Sequence, residues 1–300
     1  MNKKLATFLL IVILSLIILI IKFNDIKLFL YLNDYNGNAQ NYKTIWALSD
    51  LHIDDKQKLY FKNAVHDIST VFRKIDIALV AGDIIDYKNS ERFLKYYVSI
   101  KRSSSIKKWY EISGNHDNYD IINFRKYIKK PRYYSIVTGN ILLLFLSDEN
   151  WKNETFISKK SFNWWKSKVI NNQDKVIITV THGFLIESGL SGKEVVDQIK
   201  DSKRFIDVLK KYKVDLWING HLHISHKWAG SRIKTVKSLN NTNFLNVASL
   251  ENSKYIPSNS CILLVKNNDD KILVISRNHF EKNYVNEGFK FLDLSKKVKF

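Results

Sequence analysis

From residue 43 onward, short apolar runs alternate with stretches whose hydrophobic residues recur at helical spacing. Thr44 to Leu48 reads as a short buried strand ending at Ser49-Asp50. Gln57 to Phe72 carries Phe61, Ala64, Val65, Ile68, Val71 and Phe72 at intervals that predict an amphipathic helix. Ile75 to Val80 is a second strand ending at Gly82-Asp83, followed by a helix around Glu91 to Ile100. Lys107 to Ile112 is a third, ending at Gly114-Asn115-His116-Asp117. Tyr133 to Val137 and Ile141 to Ser147 form a hairpin around Thr138-Gly139-Asn140. A helix at Phe162 to Val169 leads to the strand Val176 to Val180, which ends at Thr181-His182-Gly183. A helix over Glu194 to Leu209 precedes the strand Asp215 to Ile218, ending at Asn219-Gly220-His221-Leu222-His223. Only strands follow: Ile233 to Val236, Phe244 to Val247, Ile262 to Val265 and Ile272 to Ile275. This pattern predicts an α/β fold whose β-rich C-terminal half packs as a second sheet.

One run differs from the rest. The 17 residues Leu5 to Ile21 carry no charge and, as a helix, would extend about 25 Å, near the lower limit for spanning a bilayer. Lys22-Phe23-Asn24-Asp25-Ile26 follows without a small-residue cleavage site, so an uncleaved transmembrane signal anchor is expected rather than a removed signal peptide. Lys3 and Lys4 favour a cytoplasmic N-terminus, which places the following domain outside; Lys22 and Lys27 weaken that preference.

Composition narrows the picture only slightly. With 45% hydrophobic and 13% aromatic residues the chain can bury a substantial core, and its two prolines and ten glycines form no linker between large domains. The formal charge of +19 would attract anions such as phosphate esters, nucleic acid or acidic headgroups. Its lysines are nevertheless spread along a chain also rich in asparagine and isoleucine, as an AT-rich coding bias would produce, so charge alone names no partner. The lone Cys261 excludes an intramolecular disulfide and a cysteine-rich zinc site.

The informative feature is positional. Five predicted strands end in clusters of Asp, Asn or His: Asp50-x-His52, Gly82-Asp83-x-x-Asp86, Gly114-Asn115-His116-Asp117, His182, and Gly220-His221-x-His223. In open α/β sheets ligands bind beyond the carboxyl ends of the strands, where these clusters can converge. Each alone is more often a turn or a buried histidine than a ligand set. Together they offer carboxylate, imidazole and amide donors without thiolate, a set suited to Zn, Mn or Fe.

In this order the blocks resemble those of the calcineurin-like metallophosphoesterase superfamily, over roughly Ile45 to His223. The resemblance implies a β-sandwich of two mixed sheets flanked by helices, extending to about Ile275. It also implies two divalent metal ions: one on Asp50, His52, Asp83 and His223, the other on Asp83, Asn115, His182 and His221. Asp83 would bridge them and a shared hydroxide would attack the phosphorus. His116 matches the residue facing the leaving group, and Asp86 the carboxylate that orients it. Asp117 reads as an acceptor of backbone N–H groups in its turn. Tyr87-Lys88 stands where protein serine/threonine phosphatases carry Arg-Gly, which argues against that branch. The Gly- and Ser-containing segment Gly183 to Lys193 is a surface loop from which Glu187 or Lys193 could reach substrate. His66, His226 and His279 receive no role.

The domains expected are a transmembrane anchor (1–22), a juxtamembrane segment (23–42), a phosphoesterase domain (43–280) and a basic C-terminal tail (281–300). The expected partner is a phosphomonoester or phosphodiester, a small molecule or a lipid headgroup, acted on by a membrane-anchored, single-pass enzyme with an extracytoplasmic catalytic domain. A nuclease of the same superfamily is the alternative; the charge favours it, while the anchor and the lack of a basic-aromatic patch oppose it. A non-catalytic metal-binding scaffold would need a lost ligand, and every ligand position is filled.

Overall fold

The structure is a computed structural model that describes residues 26, 28–86, 89–151, 155–190, 198–224, 232–251 and 258–300. The expected membrane segment at 1–22 lies outside the described residues, among which no helix is long and apolar enough to cross a membrane. The chain divides into two units, Met1–Tyr42 and Lys43–Phe300. In the first, residues 28–37 form helix α1, and Tyr31 and Tyr35 pack edge-on against Tyr42, whose hydroxyl donates to Asp34.

Among the described residues, twelve strands make two sheets. They are β1 (Tyr42–Leu48), β2 (Ile77–Ala81), β3 (Trp109–Ile112), β4 (Tyr133–Thr138), β5 (Ile141–Leu146) and β6 (Val176–Val180), then β7 (Leu216–Asn219), β8 (Ile233–Val236), β9 (Thr242–Asn246), β10 (Asn259–Lys266), β11 (Lys271–Asn278) and β12 (Asn283–Asp293). The helices of the second unit are α2 (Lys58–Val71), α3 (Ser90–Ser103), α4 (Ile121–Ile128), α5 (Lys159–Ile170) and α6 (Lys203–Leu209). One sheet runs β12-β11-β10-β1-β2-β3 and the other β4-β5-β6-β7-β9-β8. β1, β2 and β3 are parallel neighbours, as are β5, β6, β7 and β9.

β5 shows why the central strands are unbroken apolar runs. Its Ile141, Leu143 and Phe145 face the other sheet, in a core shared with Ile45, Ala47, Leu79 and Ile112. Leu142, Leu144 and Leu146 face outward under Trp165 of α5 and Phe205 of α6. A strand covered on both faces has no polar side to alternate. On the outer face of the first sheet Phe61 of α2 and Tyr97 of α3 stack at 5.1 Å, and each sits edge-on to Trp109.

Three expectations need correction. The C-terminal strands do not form the second sheet: β10, β11 and β12 complete the first, beside β1, and only β8 and β9 join the other. Residues 281–300 are not a tail, because β12 pairs antiparallel with β11 from Lys271↔Asp293 to Asn278↔Asn283, with a bulge between Ile275 and Arg277. The helix expected over Glu194 to Leu209 is confined, among the described residues, to Lys203–Leu209. Gln198 and Ile199 instead form bridges to Phe184 and Thr155, so the chain is extended there.

Candidate functional site

Five strands deliver the site, three from one sheet and two from the other. The loops after β1 and β2 are joined by backbone hydrogen bonds from Asp50 to Gly82, from Leu51 and His52 to Asp83, and from Ile53 to Ile84. His221 N–H donates to the Asp50 carboxylate (2.9 Å), tying the loop after β7 to the loop after β1. Asp117 is buried and accepts N–H bonds from Ile84, Ile85 and Gly114, so it joins the second and third blocks as well as closing its own turn. The glycines flanking the blocks have a steric reason. A Cβ on Gly114 would lie 2.1 Å from Asp83 Oδ1, and one on Gly220 would lie 1.8 Å from Ser49 Oγ.

All seven expected ligand residues come together. His223 Nε2 lies 3.1 Å from Asp50 Oδ1 and 3.2 Å from His52 Nε2, which is 3.8 Å from Asp83 Oδ2. His182 Nε2 is 3.1 Å from the same Asp83 oxygen, 3.0 Å from Asn115 Oδ1 and 3.1 Å from His221 Nδ1. Two of the donor groups that could hold an ion are thus Asp50, His52 and His223, and Asp83, His182 and His221; a third is His52, Asp83 and His116. Five of the seven hold left-handed backbone: Asp50 (φ 53°), His52 (41°), Asp83 (52°), His221 (67°) and His223 (45°). For side chains bearing a Cβ that conformation costs free energy, and it persists only where surrounding contacts impose it.

The electrostatics follow from ionisable groups buried beside one another. Burial acts to raise the Asp50 carboxyl, but the His223 and His182 rings outweigh it and hold it at about 2. Asp83 is driven further down in the same way, against burial, chiefly by His182 and His52. Burial would strip the proton from His182, yet Asp83 and Asp50 push it up to about 10. Burial dominates at His52 and at His221, each lowered to about 4. It also raises Asp117 to about 8, with Asp83 adding to the effect, and Asp148 to about 7. The arrangement suits divalent cations. Paired imidazole nitrogens 3.1–3.2 Å apart repel through their lone pairs unless a proton or cation lies between them. Nε2 of His221 is buried without a hydrogen-bond partner among the described residues. The donors are carboxylate, imidazole and amide, the set borderline divalent ions take.

A cavity of about 400 Å³ opens onto these donors, walled by His52, Asp54, Gln57, Asp83, Asp86, His116, His221, His223 and Glu251. His116 lies at its mouth with Nδ1 3.1 Å from Asp86 Oδ1, while its backbone N–H donates to Asp83 Oδ1. Glu187 is absent from the wall and pairs with Lys210 at 3.4 Å; Lys193 and His226 lie outside the described residues. His66 is exposed on α2, and His279 is buried away from the cavity.

Three wall residues, Asp54, Gln57 and Glu251, escaped the sequence reading, and of these Glu251 meets a donor ring. Glu251 Oε2 lies 3.4 Å from His223 Nδ1, the ring nitrogen opposite the one facing Asp50, and Glu251 N–H donates to the Asp50 carbonyl. A carboxylate so placed fixes the tautomer and direction of a ligating imidazole. The signal was available: Glu251 follows β9, one more strand ending at this edge, but five residues late and without a neighbouring His or Gly. Glu251→Gln is expected to weaken metal affinity about 10–100-fold, read by metal titration in a calorimeter. An unchanged affinity would remove Glu251 from the site.

Comparison with known proteins agrees with this geometry. Residues 43–225 match the family model for calcineurin-like phosphoesterase. No curated protein matches the sequence. Among solved structures, a dimetal phosphatase from Danio rerio is similar with a TM-score of 0.65 at 12% identity, over 84% of this chain and 99% of that one. GAP50, described as the anchor in the inner membrane complex of Plasmodium, gives 0.62 at 15% over 85% and 90%. Purple acid phosphatase PPD1 from yellow lupin (Lupinus luteus) gives 0.59 at 14% over 84% of this chain and 54% of its own. At these identities the likeness is one of fold, whereas the family match covers more than half of the sequence and coincides with the loops that carry the donors. The chain belongs to the calcineurin-like phosphoesterase family.

Proposed function

We propose that the chain hydrolyses a phosphomonoester or phosphodiester using two divalent ions. Asp50, His52, Asp83 and His223 would hold one ion, and Asp83, Asn115, His182 and His221 the other. The observation that carries this reading is the place of Asp83, whose single Oδ2 faces His182 on one side and His52 on the other. A carboxylate between two cations lowers their mutual repulsion. Bound ions of this kind supply an activated water and neutralise charge gathering on the phosphoryl oxygens. The protein's own part is the proton. His116, held at Nδ1 by Asp86, would give a proton to the oxygen of the departing alcohol.

Chelation followed by add-back tests the reading. Turnover of a phosphate ester should vanish with EDTA and return with Mn²⁺; full activity in a metal-free preparation would contradict it. His116→Asn should lower kcat by about 10²–10⁴-fold with metal content unchanged, as expected of a proton donor. Loss of metal in that variant would instead make His116 a ligand, as its nearness to His52 and Asp83 allows.

The same proposal places the enzyme at a membrane, anchored by the uncharged run Leu5 to Ile21, with the catalytic unit outside. Protease added to intact cells should degrade residues 43–300; their survival would reverse the orientation.

A further inference from the structure

Among the described residues, Ile26, Phe29 and Leu30 leave a broad apolar surface in water, exposed by 55%, 63% and 61%. All three are helical, Phe29 and Leu30 within α1, and their i, i+3, i+4 spacing places them on one side of the helix. Isolated exposed apolar residues need no explanation, but three side by side mark a surface that contacts a partner.

The opposite side of α1 is occupied. At about 100° per residue, Tyr31 and Tyr35 fall across the helix from this face. Their rings pack edge-on against Tyr42 at 5.5 and 5.4 Å, and Tyr35 and Tyr42 are buried. Asp34 adds a second tie, accepting from the Tyr42 hydroxyl and from Asn38 Nδ2. These contacts set the rotation of α1 about its own axis, with Phe29 and Leu30 on the side away from Tyr42.

The neighbouring sequence indicates what this face meets. The uncharged run Leu5 to Ile21 ends five positions before Ile26 and nine before Leu30. If that run is anchored in a membrane, the proposal on which this inference rests, the face cannot stray far from the bilayer. Nine residues reach at most about 30 Å fully extended and about 14 Å as a helix. Tethering at that range gives an effective concentration on the order of millimolar, so three side chains need little affinity of their own. Leu28 to Asn33 carry no charge to be desolvated where headgroups meet acyl chains.

We propose that Ile26, Phe29 and Leu30 form a membrane-contact face, which settles into the headgroup layer of the bilayer that anchors the chain and holds α1 against the lipid.

The lone cysteine, Cys261, is buried, so a thiol-reactive dye added to the folded protein reports on an introduced cysteine. The full chain carrying Phe29→Cys is labelled with a nitrobenzoxadiazole dye in lipid nanodiscs, with Asn38→Cys as reference. Asn38 is exposed beyond the end of α1. A nitroxide carried on lipid headgroups should quench the dye at 29 and spare the dye at 38. Iodide in the water should quench the dye at 29 at least about tenfold less than at 38, tenfold being the factor for burying one side chain such as Leu30. Ile26→Ser combined with Leu30→Ser should abolish both differences; both residues are exposed, so the core is untouched. Equal quenching at 29 and 38 in protein still held by the disc overturns the face and leaves the anchor standing. Protection from iodide without quenching by lipid means that protein covers the face, a second copy included, and also overturns it. Release of the native chain from cell membranes by alkaline carbonate overturns the anchor, and the face with it.

Discussion

Asp83→Asn should lower activity at least about 10³-fold, beyond the 10–100-fold typical of a residue that only orients a ligand. The side chain is buried, and one of its oxygens faces two imidazoles while the other accepts the His116 N–H. An amide of the same shape can keep the backbone bond but removes the charge that two neighbouring cations would share. Bound metal should fall together with turnover, and elemental analysis of the variant reads the first while a phosphate-release assay reads the second. A variant that retains both ions and works within tenfold of the wild type would sink the bridging role. Circular dichroism distinguishes a lost ion from a lost fold.

The largest effect on stability is expected far from the donors. Asp67 on α2 takes a two-pronged bond from Arg277 Nε (2.9 Å) and Nη2 (2.7 Å) of β11, with both partners buried. His279 Nδ1 lies 2.8 Å from the same carboxylate, and its Nε2 faces Ser260 Oγ at 2.7 Å. Trp46 Nε1, which can only donate, points at that hydroxyl, leaving the Ser260 hydrogen able to go to His279 Nε2, and burial favours that neutral ring with its proton on Nδ1 toward Asp67. Asp67→Asn leaves the guanidinium buried without its partner charge and should destabilise the fold by about 3–5 kcal/mol, measured by denaturant unfolding. The pH dependence has a definite sign. Burial lowers the pKa of His279, so the unfolded chain takes up a proton as pH falls below about 6.5 while the folded one resists. Asp67 is also held low: burial opposes, but Arg277 and His279 prevail, so its contribution is present above about pH 4 and is lost as pH falls towards its folded value. Both terms weaken the fold in acid. His279→Gln should flatten the stability loss between pH 6.5 and 5 relative to the wild type; the comparison cancels the metal-site histidines, which both proteins share. Parallel pH profiles would rule the residue out.

Much of this was legible because the strands beneath the site are buried on both faces. Their apolar runs stop abruptly, and each stop exposed an Asp, Asn or His that could be read as part of one cluster. Asp83 and His182 were found in this way, from position before geometry. β12 was not found, since Lys290, Asp293 and their polar neighbours read as a charged tail. An edge strand has one partner and can afford such residues. α4 was missed because eight residues give scarcely two turns of periodicity, and its start depends on Asp120 accepting from Asn123, a local bond that spacing does not reveal. The buried Arg277–Asp67–His279 group was invisible for a different reason: its members stand 210 and 212 residues apart, and only the pairing of β11 in the first sheet brings them to α2.

The site draws its side chains from both halves of the sandwich: Asp50, His52, Asp83 and Asn115 follow strands of one sheet, and His182, His221 and His223 follow strands of the other. Mechanically, a shared ligand sphere there would be a rivet through two plates. Without cations the plates are joined at this rim by hydrogen bonds such as His221 N–H to the Asp50 carboxylate and His182 Nδ1 to the Ala81 carbonyl; with them, parting the sheets would also mean breaking coordination bonds. Metal loading should therefore slow amide exchange at the ends of β1, β2, β6 and β7 together, which makes the catalytic centre a fastener of the architecture that presents it.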